Sequence, residues 1–199
     1  GAETEFVYDA GGQLTALVDA VGNRHTYTFD SGGRLLKYVD PANGAKTVVY
    51  DAVATSVVEA NGARSTLVFA ADGTLRNSLA PDGGVTTYTW DNLRIAEIEN
   101  PLGEKRRFTY HQDPVKGMYL TAEVAPSGLS TTYVYDNEQT LIAKVDPAGN
   151  RTTLAWNSSG QRLARENPLG ERTTYTFNAF NQLVKQVGPA GTITFEYDA

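Results

Sequence analysis

Apolar and polar positions alternate along most of this chain, and the alternation restarts every 19 to 25 residues. Ten aromatic residues mark the restarts: Tyr8, Phe29, Tyr50, Phe69, Trp90, Tyr110, Tyr135, Trp156, Phe177 and Tyr197. Their successive spacings are 21, 21, 19, 21, 20, 25, 21, 21 and 20 residues. A period this regular is the signature of a repeat architecture, in which one supersecondary unit recurs and stacks on its neighbours.

Each unit has four parts. An alternating run ends on the aromatic anchor, as in Thr26-Tyr27-Thr28-Phe29 or Thr174-Tyr175-Thr176-Phe177. A turn such as Asp30-Ser31-Gly32-Gly33 follows, then a second apolar run such as Leu35-Leu36-Lys37-Tyr38-Val39. A second turn closes the unit: Asp40-Pro41-Ala42-Asn43-Gly44, Asn100-Pro101-Leu102-Gly103, Asp146-Pro147-Ala148-Gly149, Asn167-Pro168-Leu169-Gly170 or Gly188-Pro189-Ala190-Gly191. Period-2 alternation predicts strands with two unlike faces, and Thr, Val, Tyr and Phe suit a pleated surface. Two positions before each anchor the residue is always apolar or aromatic, and three positions before it is Thr in eight of ten cases. One face is therefore expected to be an aromatic-aliphatic ladder with few charged side chains. The other is expected to be Thr-rich and wetter. Pro presets the first central turn angle, Gly accepts positive φ, and an Asp or Asn after the anchor can bond the backbone ahead of it. These are hairpins, with no sustained 3.6-residue stripe to suggest helix.

Three units depart from the plan. The third lacks the first-turn glycine (Asp51-Ala52-Val53-Ala54), and the fifth is shortened there (Asp91-Asn92-Leu93-Arg94). The sixth carries an insertion, His111-Gln112-Asp113-Pro114-Val115-Lys116-Gly117, which reads as a bulging loop, with a contact site as the other reading.

The prediction is an all-β chain, residues 1–199, of about nine tandem hairpin repeats forming one long, curved antiparallel strip. About twenty strands in one strip would run about 90 Å and would twist. A four-stranded propeller needs a 42-residue period with unlike odd and even units. Successive units here look alike.

Composition narrows the chemistry. The chain has 199 residues, is 41% hydrophobic and 20% charged, and carries a formal net charge of -6. That balance argues against a phosphate-backbone partner, so no nucleic acid is expected. With no cysteine there is no disulfide, thiolate metal site or cysteine nucleophile. No apolar run approaches the roughly 20 residues of a membrane helix, and no membrane insertion by this segment is expected. Gly1-Ala2 reads as a cloning scar and Tyr197-Asp198-Ala199 stops inside a motif, which suggests an excised piece.

No reactive constellation emerges. His25, at a strand start, and His111, in the inserted turn, have no matching Ser or Cys and read as surface histidines. Asp9, Asp30, Asp51, Asp91 and Asp136 recur one per unit, which suits turn capping better than a calcium loop. Glu97, Glu99 and Glu104 beside Lys105, Arg106 and Arg107 read as mixed surface charge. The Gly-rich turns do not precede helices and are not phosphate loops. No catalytic, cofactor-binding or metal residue is assigned, and the ten anchors are structural.

The runs Tyr8-Asp9-Ala10-Gly11-Gly12-Gln13-Leu14 and Phe29-Asp30-Ser31-Gly32-Gly33-Arg34-Leu35, with Asp146-Pro147-Ala148-Gly149-Asn150-Arg151-Thr152-Thr153, resemble the YD repeat of bacterial Rhs proteins. Shell-forming components of insecticidal toxin complexes and the animal teneurins belong to the same group. The resemblance implies a β-sheet strip that spirals into a hollow shell around a C-terminal toxic domain. It implies a secreted or cell-surface protein whose partners are its own toxin domain, neighbouring repeats and secretion-apparatus proteins. The self-cleaving signature of that family is not matched, so Asp40-Pro41 and Asp146-Pro147 remain ordinary turns. The expected function is a non-catalytic wall of an encapsulating shell, with self-association at open edges. The alternative is an adhesive surface array binding a protein or carbohydrate, for which Tyr38 and Phe180 are the aromatic candidates off the ladder.

Overall fold

The computed structural model describes residues 3–198. Gly1-Ala2, read as a scar, and Ala199 lie outside the described residues. All nineteen elements are strands, and no helix occurs among the described residues. The chain divides into two compact units, residues 1–104 and 105–199.

The first unit holds ten strands: β1 (Glu5–Tyr8), β2 (Leu14–Val18), β3 (Arg24–Phe29), β4 (Leu35–Val39), β5 (Ala45–Tyr50), β6 (Ala54–Val58), β7 (Arg64–Phe69), β8 (Leu75–Leu79), β9 (Val85–Asp91) and β10 (Arg94–Glu99). Each pairs antiparallel with the next, from β1 through to β10. The second unit is built the same way from nine: β11 (Lys105–Asp113), β12 (Gly117–Val124), β13 (Ser130–Tyr135), β14 (Leu141–Val145), β15 (Arg151–Trp156), β16 (Arg162–Glu166), β17 (Arg172–Phe177), β18 (Leu183–Gly188) and β19 (Gly191–Thr194). Pairing is again consecutive. Ten strands paired without interruption exclude four-stranded blades.

Both turns of a unit use one local device. In the turn after Tyr8, the Asp9 N–H donates to the Gln13 carbonyl at 2.9 Å and the Gly12 N–H donates back to the Asp9 carbonyl at 3.1 Å. The Asp9 carboxylate accepts from the N–H groups of Gly11 and Gln13 at 2.8 and 2.9 Å. Asp19, Asp40 and Asp146 do the same in second turns. So do the amide oxygens of Asn100 and Asn167 in second turns and of Asn157 and Asn178 in first turns. The residue four places on reaches back with complementary chemistry. An Asp faces a donor, as in Asn23 to Asp19 at 2.7 Å and Arg34 to Asp30 at 2.7 Å. An Asn faces an acceptor, as in Asn100 to Glu104 and Asn167 to Glu171, both 2.7 Å. The fourth turn residue needs positive φ, which explains its frequent glycine; Gln139 takes φ 61° without one.

Eight of the nine hairpins carry a β-bulge, all eight directly before the anchor. Thr28 faces Lys37 but Phe29 faces Leu35, so Leu36 is the extra residue. A bulge shifts the side-chain phase by one. That shift puts the leucine after the turn on the anchor face while the residue two places on stays opposite. The third unit, without its turn glycine, keeps regular register, with Tyr50 opposite Thr55.

The insertion is not a loop. His111, Gln112 and Asp113 continue β11 and pair with Tyr119, Met118 and Gly117 of β12. Its two flanks alternate in step, so added residues lengthen the ladder. Only the tip, Pro114-Val115-Lys116, is a turn, held by the Asp113 carboxylate accepting from the Val115 and Lys116 N–H groups at 2.8 and 2.9 Å.

The wetter-face expectation holds only in part. Ala16, Ser56, Ala143 and Ala164 are the buried residues among those described, and all four lie on the Thr face, away from the anchors. Each small side chain is flanked by larger or equal neighbours: Ala16 by Val7 and Thr26, Ala143 by Val134 and Thr153. The face is wet where Thr precedes the anchor and a charged residue opposes it, as at Thr28 with Lys37 and Thr176 with Lys185.

Candidate functional site

The recurring feature of this molecule is the anchor row, and its geometry follows from how the hairpins meet. Within a hairpin the strands pair up to the anchor. Between hairpins they pair over only about half their length. β8 and β9 pair at Asn77–Thr87, Ser78–Thr86 and Leu79–Val85, then separate toward the first-turn end. At three junctions the anchor side chain bridges the gap. Trp90 Nε1 donates to the Leu75 carbonyl at 2.6 Å, Trp156 Nε1 to that of Leu141 at 2.7 Å, and the Tyr197 hydroxyl to that of Leu183 at 2.8 Å. A backbone acceptor without a strand partner is satisfied by an aromatic whose body covers apolar surface. In the irregular third unit the backbone does this job: the Phe69 N–H donates to the Val53 carbonyl at 2.8 Å.

The eight internal anchors are half-buried, whereas Tyr8, on the edge strand β1, and Tyr197, just after β19, are exposed. The residue two before each anchor forms the rest of the row. Tyr27 lies 5.6 Å from Tyr38, ring centre to ring centre, and His25 lies 5.9 Å from Tyr38 on its other side. His25 Nδ1 is 2.8 Å from the Tyr38 hydroxyl. Tyr38 is therefore part of the ladder, not an aromatic set apart from it. Phe180 does project, at 82% exposure from the turn after Phe177.

Nor is the anchor face short of charge. Opposite the penultimate aromatic or aliphatic residue stand Glu123 (to Phe108), Lys144 (to Tyr133) and Arg165 (to Leu154). Cations lie over rings: Arg34 at 4.4 Å from the Tyr50 centroid, Arg162 at 4.6 Å from Tyr175 and Lys144 at 5.8 Å from Tyr133. Such contacts are worth about 0.5–1 kcal/mol at exposed sites. Burial, with Glu123 beside it, holds the Tyr133 hydroxyl above the usual tyrosine range. Burial and the Tyr119 phenol do the same for Tyr135.

The extended sixth hairpin joins this row. His111 packs on Tyr119 at 5.2 Å and Tyr119 on Tyr135 at 4.7 Å. Lys116 Nζ reaches the next first turn, donating to the Asn137 carbonyl and to Glu138 Oε2, the latter at 3.0 Å. The insertion is thus tied to its neighbour at both ends.

Among the described residues, no group of three or more His, Cys, Asp or Glu side chains is placed to hold a metal ion. Asp9, Asp30 and Asp136 cap their turns as expected. Asp91 instead sits at the end of β9, where it accepts from the Asn92 side chain at 3.1 Å.

The Rhs repeat model matches residues 1–46 and 156–193. Both segments carry Rhs repeats. The three irregular first turns, at residues 51–54, 91–94 and 111–117, all fall between the matched segments. No curated protein sequence matches the chain. Among solved structures, the fold of this chain recurs in TcdB2-TccC3-TEV, at 15% identity and TM-score 0.56, over 92% of this chain and 13% of that one. It also recurs in TcdB2-TccC3 without its hypervariable C-terminal region, at 14% identity and TM-score 0.58, over 93% of this chain and 13% of that one. The likeness is one of fold, and the chain spans a small part of those proteins.

Proposed function

We propose that this Rhs array is a non-catalytic wall segment of a shell that encloses a C-terminal toxin domain of its parent protein for export and delivery. The observation that carries the reading is the continuity of pairing in each unit, with junctions between hairpins bridged by Trp90, Trp156 and Tyr197 and, at Phe69, by backbone. A wall has to be free of gaps and needs no reactive group. The anchor-to-carbonyl bonds seal the places where the hairpins separate, at the cost of no extra chain. The fold shared with the TcdB2-TccC3 structures supports the same role. Export follows from the role, so the parent is placed outside the cytoplasm or on the cell surface, with secretion-apparatus proteins as partners.

The test uses the parent polypeptide. Limited proteolysis should leave the region after the repeats uncut until the wall is opened by denaturant, and then cut both together. Early cleavage of that region while the repeats stay intact would refute enclosure.

At the edges, β1 and β19 each have one partner strand, and Phe6 and Ile193 are both 53% exposed there. Unpaired edges with exposed apolar side chains template pairing with another copy. In the parent these edges meet neighbouring repeats.

A further inference from the structure

We propose that Asn61 is a self-modifying site: the turn Glu59-Ala60-Asn61-Gly62-Ala63 promotes loss of the Asn61 side-chain nitrogen as ammonia, leaving an aspartyl or isoaspartyl residue, while the same chemistry is held back at Asn43. The proposal does not rest on the enclosure reading.

The sequence has two Asn-Gly pairs, Asn43-Gly44 and Asn61-Gly62, and both lie in second turns. Glycine after asparagine leaves the following nitrogen uncrowded by a side chain. The reaction needs only water. The Gly nitrogen loses its proton and attacks the Asn Cγ, so that a C–N bond forms. The bond from Cγ to Nδ2 breaks, and Nδ2 leaves with that proton as ammonia. Water then opens the five-membered imide at the side-chain carbonyl, giving Asp, or at the main-chain carbonyl, giving isoaspartate.

The two turns treat these atoms differently. The Gly44 N–H donates to the Asp40 carboxylate at 2.8 Å. A Cβ on Gly44 would lie 2.6 Å from Asp40 Oδ2, so the carboxylate also crowds this residue. Negative charge there opposes loss of the Gly44 proton. In the other turn the capping position is Glu59, whose carboxylate lies 3.3 Å from Lys46 Nζ. The Gly62 N–H donates instead to the neutral Glu59 carbonyl at 2.9 Å. A Cβ on Gly62 would meet nothing within 4 Å, and Asn61 and Gly62 are both exposed.

The electrophile is prepared as well. Asn61 Oδ1 accepts from the Ala63 N–H at 3.0 Å. Attack at Cγ builds negative charge on that oxygen, and a fixed N–H donor stabilises it. The aspartyl product suits the turn. Asp72 and Asp82 hold the same third position in their turns and accept from the Thr74 and Gly84 N–H groups at 3.0 and 2.9 Å. The connection from β6 to β7 therefore persists with one added negative charge.

The test is incubation of the 199-residue chain in mildly alkaline heavy-oxygen water, followed by peptide mapping with mass spectrometry. Label enters when the imide opens. Asn61 should convert about ten-fold faster than Asn43, the scale on which a neighbouring charge changes an ionisation equilibrium. In urea, where the turns are lost, the two rates should converge. Asp40→Asn keeps a cap of the kind Asn100 and Asn167 provide and should raise the Asn43 rate. Glu59→Asp places a short carboxylate where Asp19 and Asp40 have theirs and should lower the Asn61 rate. Unchanged circular dichroism shows that both variants keep the fold. Asn61 converting no faster than Asn43 in the folded chain, a difference that persists in urea, or a rate that either variant fails to move overturns the proposal.

Discussion

The indole N–H of Trp156 donates to the carbonyl of Leu141 at 2.7 Å, fifteen residues back and one hairpin away. Trp90 stands in the same relation to Leu75, and Tyr197 to Leu183. At these three anchors the bond reaches across the stretch where neighbouring hairpins lack backbone pairing.

Trp90→Phe and Trp156→Phe should therefore destabilise by more than their lost area. A net hydrogen bond contributes about 0.5–1.5 kcal/mol, and an unmet carbonyl adds to that. Urea unfolding of each variant measures it. Phe69→Tyr should give no matching gain, because the Phe69 junction is already closed by backbone.

The shortened fifth turn holds Asn92 at φ 46° and Leu93 at φ 62°. A two-residue hairpin of this kind prefers Asn-Gly, and a left-handed leucine costs about 1–2 kcal/mol. Leu93 is also 72% exposed, so little packing is lost on its removal. Leu93→Gly is expected to stabilise the chain by about 1 kcal/mol, readable as a higher urea midpoint.

Overpacking should be felt on the Thr face. Ala16 and Ala143 are 0% exposed. Ala143→Leu should cost about 1–3 kcal/mol. Lys37→Leu, at the matching position beside Thr28, should fall within about ±0.5 kcal/mol. Thermal unfolding of the two variants compares them directly.

Acid should weaken the turns. Hydrogen bonds to the carboxylates hold Asp19, Asp30, Asp72, Asp113 and Asp146 below the ordinary value of 3.8. The leading donors are the Asn23 side chain for Asp19, the Arg34 N–H for Asp30, the Thr74 hydroxyl for Asp72, the Lys116 N–H for Asp113 and the Asn150 side chain for Asp146. A lowered folded pKa contributes stability that is fully present above the unfolded value and lost as pH falls through the folded one. Stability should hold steady down to the ordinary aspartate range and drop below 3.8. A triple variant with Asn at 19, 30 and 146 should show a shallower drop, since Asn already caps the turns at 100, 157, 167 and 178.

Open edges predict self-association of the isolated chain. Sedimentation should show concentration-dependent species larger than the 21.5 kDa monomer. Ile193→Lys, placing a charge on the β19 edge, should reduce them. A monomer at all concentrations would contradict edge pairing.

Much of this was legible in the chain itself. The anchor spacing marks each hairpin, and the Asp-x-x-Gly and Asn-Pro-x-Gly runs mark the turns. What escaped was phase. A bulge such as the one at Leu36 leaves no residue-type signal, and it decides which side chains share a face. Hence the charged Lys144 and Arg165 on the anchor face, and the buried Ala16 and Ser56 on the other, were not foreseen. The insertion was misread because its length suggested a loop. Tyr119, in step with His111 across the tip, was the clue that it extends a ladder. Complementarity within turns, Asp with a donor and Asn with an acceptor four residues on, is visible in the sequence once the geometry is known.

The most direct test of the wall is an electron cryo-microscopy structure of the full-length parent protein. The account predicts that residues 3–198 form part of a continuous sheet with density for the C-terminal domain on one side only, enclosed. Repeats open to solvent on both faces, with the C-terminal region outside them, would contradict it.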